Sequence, residues 1–453
     1  MGKGMMNGLV IYRDLYDQKG PFLYLLYGIA YLISNRTFLG VFIFEVIAAT
    51  FFLYFAGKLI EKKSNRYIAT GLIPVIGAAV YSSWSFYSGG AAEEFCLPLL
   101  ALALYLLDEV LQDDLDGKRC KSIFGIAGIC AGVVAQVKYT MLGFFFAWFI
   151  LAVIWMAMKR DFSKLFSCIG RFIVFAIVPS VPWFIYFVAT GSLDDWYRCY
   201  IYNNLFFYSH ISTEQYSFLH KIYEMTKTLY WLIRDSFSYF IWIIAGFILQ
   251  LVMEKKIIRK LSSLVIFGFT YFVIFIGGNK LAYYSIPLMP VAIIGAVYVG
   301  MLLTKIKINP AKKIHLCAEA GIAVVILAMS TVFAACNTQN AEYRGFNKED
   351  VWLFEAAKYL DSDDTLLELN AIDAGLYTVS GIVPSCEYFQ TNGIGLDMMF
   401  EEQKKYLKEG RTDYVLAVAF EPEFIDLNYC LVDTFEYNET DHEEIYYLYR
   451  KKD

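Results

Sequence analysis

The feature that most constrains this chain is a series of long apolar blocks separated by loops that alternate in charge. The blocks run at 38–59, 67–84, 93–111, 121–137, 139–158, 168–190, 230–252, 262–277, 281–303 and 314–334. Most approach the ~20 residues an α-helix needs to cross ~30 Å of hydrocarbon. Every second loop is basic. Lys58, Lys62, Lys63 and Arg66 follow the first block, Lys118, Arg119 and Lys121 the third, and Lys159, Arg160, Lys164 and Arg171 the fifth. Lys255, Lys256, Arg259 and Lys260 follow the seventh, and Lys305, Lys307, Lys312 and Lys313 the ninth. The intervening loops are poor in Lys and Arg, and 85–92 has neither. Basic loops stay on the cytoplasmic side, so the alternation orients the chain. Composition agrees: 58% of residues are hydrophobic and 18% charged, where a soluble chain carries about 25% charge.

Ten spans place both termini outside. The shorter apolar segment 21–34 reads as a helix at the interface. Residues 1–20 hold neither a signal peptide nor a span, so an outer N-terminal tail leads us to expect a further helix upstream. After the last block the composition changes. Residues 337–453 carry 25 Asp and Glu against 10 Lys and Arg, while the rest carries 19 acidic and 29 basic residues. In that acidic segment, helical patterns near "DVWLFEAAKYL" and "GLDMMFEEQKKYLKEG" alternate with strand patterns "TLLEL", "DYVLAVA", "NYCLVDTFEY" and "EIYYLYR". The expected fold is therefore a mainly α polytopic body with a small C-terminal α/β domain outside the cytoplasm. The expected division is 1–37 (outer loop and interfacial helix), 38–334 (membrane body) and 335–453 (outer domain).

The nine cysteines form no CxxC or metal spacing, and "FAACN" around Cys336 follows a span rather than a signal peptide. Of the three in the outer segment, Cys336, Cys386 and Cys430, no pairing is indicated. No phosphate-binding loop is present, and no nucleic-acid partner is expected.

Charges on the outer side that belong neither to basic loops nor to the acidic domain are the informative ones, because ionisable groups at membrane depth usually face a cavity. Asp14, Asp17 and Lys19 precede Gly20-Pro21 in "YRDLYDQKGPFLYLL", where proline suits the first turn of a helix. Glu93 and Glu94 open a span in "SGGAAEEFCLPLL"; capping by the helix dipole explains one acid better than two. Lys138 in "QVKYTMLGF" turns between two spans, with snorkelling as the bland alternative. Lys280 and Tyr284 lie in "GGNKLAYYSIPLMP", whose prolines break a helix where freed backbone lines a cavity. Carboxylates can take a proton from a hydroxyl and lysines can neutralise a phosphate, a combination suited to transfer from a phosphate leaving group. The mid-span acids Glu45 and Glu319 are the ones a transporter would use. The long loop 191–229, rich in Trp and Tyr, suits an interfacial belt, with a carbohydrate or acceptor platform involving Arg198 as the rival.

In their order and sidedness, "YRDLYDQKGPFLYLL", the acidic pair, "KYTMLGF" and "YYSIPLMP" resemble the GT-C superfamily. The group the chain resembles is a bacterial family similar to the protein O-mannosyltransferases and to the lipid A aminoarabinose transferases. The resemblance implies a multi-spanning inverting glycosyltransferase with a polyprenyl-phosphate sugar donor and an outer-face active site. It implies that Lys19, Lys138 and Lys280 face the donor phosphate, with Tyr284 near the donor. Glu94, and less closely Glu93, match the family's acid at the outer start of a span. The family's early first-loop acid has no clean match, which leaves Asp14 and Asp17 as substitutes and suggests an N-terminally truncated chain. The implied partners are membrane lipids, the lipid-linked sugar, and a glycan, lipid or protein acceptor. Relatives differ in using a divalent cation, so that cofactor stays open. The alternatives are a lipid-linked oligosaccharide ligase or polymerase, and a non-enzymatic transporter or flippase.

Overall fold

The computed structural model describes residues 1–452 except 88, 114, 209–216, 279, 306–311, 339, 342–343, 372–374, 392 and 440–441, and at 312–320, 348, 437–439 and 442–443 it describes the backbone only. The chain divides into two compact units. One comprises Met1–Ile43, Trp183–Ile211 and Tyr343–Asp453; the other comprises Phe44–Pro182 and Ser212–Glu342. The sequence suggested three consecutive segments, whereas the first unit gathers three pieces that are far apart along the chain.

The second unit is helical. Among the described residues, four helices are long and apolar enough to cross a membrane: Leu39–Lys63, whose first residues belong to the first unit, Tyr139–Met158, Phe162–Thr190 and Ile257–Phe275. Counting each of two bent pairs as one span brings the number to six. Other expected spans form helices that are shorter or more charged, such as Arg66–Tyr81, Ala92–Val110 and Gly117–Ala135. Leu39–Lys63 leaves Phe42, Val46, Phe51 and Tyr54 uncovered. An uncovered apolar face along a whole helix needs an apolar surrounding, which a bilayer supplies.

Local chemistry explains several breaks. Asp161 starts a helix by accepting the Lys164 N–H at 3.1 Å, a side-chain cap on an orphan donor. Pro179 and Pro182 withdraw backbone donors, and the winding tightens to 3-10 at Val178–Ser180 before continuing. "YYSIPLMP" behaves as its prolines predict: Ala282–Leu288 is a 3-10 segment, bent by 47° from Pro290–Leu303. The other bent pair, Phe218–Asp235 and Phe237–Met253, turns through 110° at Ser236. Glycine permits the closest helix crossings. A Cβ on Gly295 would lie 2.0 Å from the Trp242 carbonyl, and one on Gly132 would lie 2.3 Å from the Ala176 carbonyl, the small-residue packing that membrane helices use.

The first unit holds the sheet, ordered β1-β2-β4-β3, from β1 (Leu366–Leu369), β2 (Tyr414–Val418), β3 (Tyr429–Glu439) and β4 (His442–Lys451). β1 and β2 are parallel; β4 runs antiparallel to β2 and β3. All four expected strands form. Both faces are covered. Leu366, Leu416 and Leu448 pack with Leu353, Leu376 and Phe389 on one side, and Val415, Ala417 and Tyr449 pack with Leu407 and Ile425 on the other. Two covered faces explain why β1 and β2 read as continuous apolar runs rather than strict alternations. Leu15 joins the first of these cores, the Tyr16 N–H donates to the Glu387 carbonyl at 2.7 Å, and Lys3 Nζ donates to the Tyr377 carbonyl at 2.8 Å. The N-terminal stretch is thus built into the α/β domain.

Candidate functional site

In the second unit, the start of Ala92–Val110 places Glu93 and Glu94 side by side in its first turn, and both are buried. Lys138 follows the end of Gly117–Ala135 and caps the short 3-10 turn Tyr139–Met141. Its ammonium makes an ion pair with Glu93 Oε1. The same ammonium lies 3.6 Å from the centroid of the Tyr284 ring and 5.4 Å from that of Tyr283. Desolvated cations over aromatic faces are held by the ring quadrupole. Three of the residues singled out from sequence, Glu93, Lys138 and Tyr284, therefore form one cluster.

Glu94 faces the other way. Its carboxyl lies close to that of Glu45, which belongs to Leu39–Lys63, so two acidic groups face each other here. Glu45 Oε1 also accepts the backbone N–H of Gly90. The Gly-Gly turn has to be glycine here: a Cβ on Gly89 would sit 2.8 Å from Glu45 Oε1, and Gly90 has φ 71°. Among the described residues neither Glu93 Oε2 nor Glu94 Oε2 has a hydrogen-bond partner, although both are buried. Buried acceptors of this kind cost free energy unless a partner arrives, which marks the cluster as a place where a ligand donor fits.

Beside the cluster lies a hydroxyl network the sequence did not reveal. Ser85 Oγ is 2.6 Å from Ser285 Oγ and 3.2 Å from Ser236 Oγ, and the Tyr239 hydroxyl donates to Ser285 at 3.0 Å. It ties the turn before Glu93 to the proline-broken segment that carries Tyr284. Serines in apolar blocks carry no pattern that announces such a network.

The remaining expected residues lie elsewhere. Lys280 pairs with Glu224 and is half-exposed. Asp14, Asp17 and Lys19 belong to the first unit. Asp14 accepts from Arg13 Nε at 2.9 Å and from the Val10 N–H at 2.7 Å, a local clamp. The Arg13 hydrogen bond holds its carboxyl below the ordinary aspartate range. Asp17 accepts the Gln18 N–H at 2.6 Å. The backbone of Lys19 is pinned by Tyr12, whose hydroxyl donates to its carbonyl at 2.6 Å, and by Tyr24, whose hydroxyl accepts its N–H at 2.8 Å. Among the described residues no carboxylate pairs with the Lys19 ammonium. The side chain of Glu319 is outside the described residues. Cys336, Cys386 and Cys430 are free thiols. Among the described residues no three His, Cys, Asp or Glu side chains gather as metal ligands would.

No protein-family model matches the chain, and no curated protein matches it. Solved structures do. ArnT from Cupriavidus metallidurans bound to undecaprenyl phosphate aligns with a TM-score of 0.64 at 14% identity, covering 99% of this chain and 92% of ArnT. The apo state of the same protein gives a TM-score of 0.61 at 12% identity, covering 99% and 91%. Likeness at this identity speaks for the fold: the chain, a mainly helical body with a small C-terminal sheet, is similar in architecture to ArnT.

Proposed function

We propose that this chain is an integral-membrane inverting glycosyltransferase, moving a sugar from a polyprenyl-phosphate donor to an acceptor on the outer face of the membrane. The observation that carries the reading is the buried Glu93–Lys138–Tyr284 cluster next to the Glu45–Glu94 carboxyl pair. It sits in a chain with the fold of ArnT, which has been crystallised bound to undecaprenyl phosphate.

The chemistry asks for one base and one cation. The ionised carboxylate of the Glu45–Glu94 pair takes the proton of the acceptor hydroxyl. The hydroxyl oxygen attacks the anomeric carbon on the face opposite the phosphate; the new C–O bond forms as the bond to phosphate breaks, inverting the configuration. The electron pair of the broken bond leaves with the polyprenyl phosphate, which needs no proton to depart. Lys138 answers the growing negative charge, and Glu93 and Tyr284 hold its ammonium in place until then. Asp17 remains a candidate base of the first unit, while Asp14 is better described by its clamp.

The test is transfer of labelled sugar from a panel of polyprenyl-phosphate donors in membranes containing the protein. Turnover that is lost in Glu94→Gln and Lys138→Ala supports the reading. A folded protein that turns over no donor in the panel sinks it.

A further inference from the structure

Outside the carboxylate cluster, the first unit contains a cavity of ≈ 420 Å³ whose walls include Tyr16, Tyr197, Arg198, Tyr202, Asn203 and Tyr388. That volume lies within the ~300–1,000 Å³ usual for small-ligand pockets. The wall is built in an unusual way. Tyr197–Tyr202 and Asn204–Tyr208 are π-helical, a winding that is rare and concentrates at functional sites. Its i→i+5 repeat brings residues five apart near one another on a single side. Tyr197 and Tyr202 have ring centroids 6.4 Å apart, and Tyr202 and Phe207 5.8 Å apart. An α-helix would fan these rings around its circumference. The opposite wall is firm: Tyr16 and Tyr388 are buried, 5.2 Å apart, and Asn203 Nδ2 donates to the Tyr16 hydroxyl at 3.0 Å.

We infer that this tyrosine-lined cavity is a saccharide site that takes a pyranose ring. A pyranose presents a face of C–H groups, which packs on aromatic rings, and an equator of hydroxyls, which needs donors and acceptors. The cavity offers both. Tyr197 and Tyr202 are 50% and 41% exposed, leaving ring surface available. Asn203, Asp194 and Arg198 bring amide, carboxylate and guanidinium groups to the same cavity, with Arg198 held by Asp195 at 3.1 Å. An acyl chain would desolvate these polar groups without replacing their hydrogen bonds, and an aromatic belt at a membrane interface requires no concavity. In the proposed transfer reaction, on which this part of the argument rests, the bound ring belongs to the sugar of a glycan acceptor.

The experiment is saturation-transfer NMR on the full chain in nanodiscs, with methyl pyranosides of a neutral hexose, an N-acetylhexosamine and a uronic acid. At least one sugar is expected to receive saturation from aromatic protons. Tyr202→Ala should weaken its binding by about tenfold and Tyr202→Trp should restore it. Absence of binding across the panel, or binding indifferent to Tyr202→Ala, overturns the assignment. Contact of the same rings with spin-labelled lipid, without sugar binding, also overturns it in favour of a lipid belt. If a sugar binds as expected but no donor turns over, the saccharide site stands and the transferase reading falls.

Discussion

The ammonium of Lys138 is held between the Glu93 carboxylate and the face of the Tyr284 ring, 3.6 Å from the ring centroid. Removing one member of a buried pair leaves an uncompensated charge, whereas removing both does not. Lys138→Met alone should destabilise the protein by about 3 kcal/mol, and Glu93→Gln/Lys138→Met should recover most of the loss. Thermal unfolding of the detergent-held protein reads both. Activity should part company with stability: the double variant stays folded yet transfers about 10²-fold more slowly, because the cation that answers the phosphate is gone.

The Glu45–Glu94 pair predicts an asymmetry. Glu94→Gln should lower the transfer rate by about 10²–10⁴-fold, the usual contribution of a positioned proton-transfer group. Gly89→Ala should act on the same step with both acids retained, since its new methyl group meets Glu45 Oε1 and displaces that carboxyl. A Gly89→Ala enzyme as fast as the parent would show that Glu45 has no part in the reaction.

Lys280 is answered at rest by Glu224 and is half-exposed. Exposed pairs of this kind contribute about 0–1 kcal/mol. Lys280→Ala is therefore expected to slow transfer by no more than a few-fold, in contrast to Lys138→Ala. Equal losses in the two would bring Lys280 back to the donor phosphate.

Asp14 gives a pH prediction whose sign follows from Arg13. With its folded value depressed, ionised Asp14 favours the folded state above about pH 4, where an unstructured aspartate titrates, and this contribution fades as the pH falls through the lower folded value. The difference in melting temperature between the parent and Asp14→Asn should shrink as the pH falls below about 4. Because Arg13 is exposed, the contribution at neutral pH should be about 1 kcal/mol or less.

Much of the helical architecture was legible, because apolar blocks of membrane length and basic loops are written locally. The strands were legible for a related reason: β2, β3 and β4 each fall on a run with β-branched or aromatic residues, and β1 on a short leucine run. Glu93, Lys138 and Tyr284 were visible singly as outer-side residues, but their junction depends on helix packing between positions 45 residues apart in the case of Glu93 and Lys138. The π winding at 197–208 leaves no compositional trace, since the same residues would read as α-helix or belt. The seat of the N-terminal stretch was hidden too: it rests on a main-chain hydrogen bond from Tyr16 and on one leucine, Leu15, neither of which sets a pattern.

That seat has a consequence for biogenesis. The buried side chains that share a core with Leu15 all lie from Leu353 onward, so ribosomal synthesis delivers one half of the first unit long before the other. During elongation the early stretch is made well before the segment that covers Leu15, a period in which chaperones and proteases compete for it. Completion of the C-terminal strands then becomes a checkpoint, at which a chain interrupted before β4 is sorted from one able to close the sheet of its first unit.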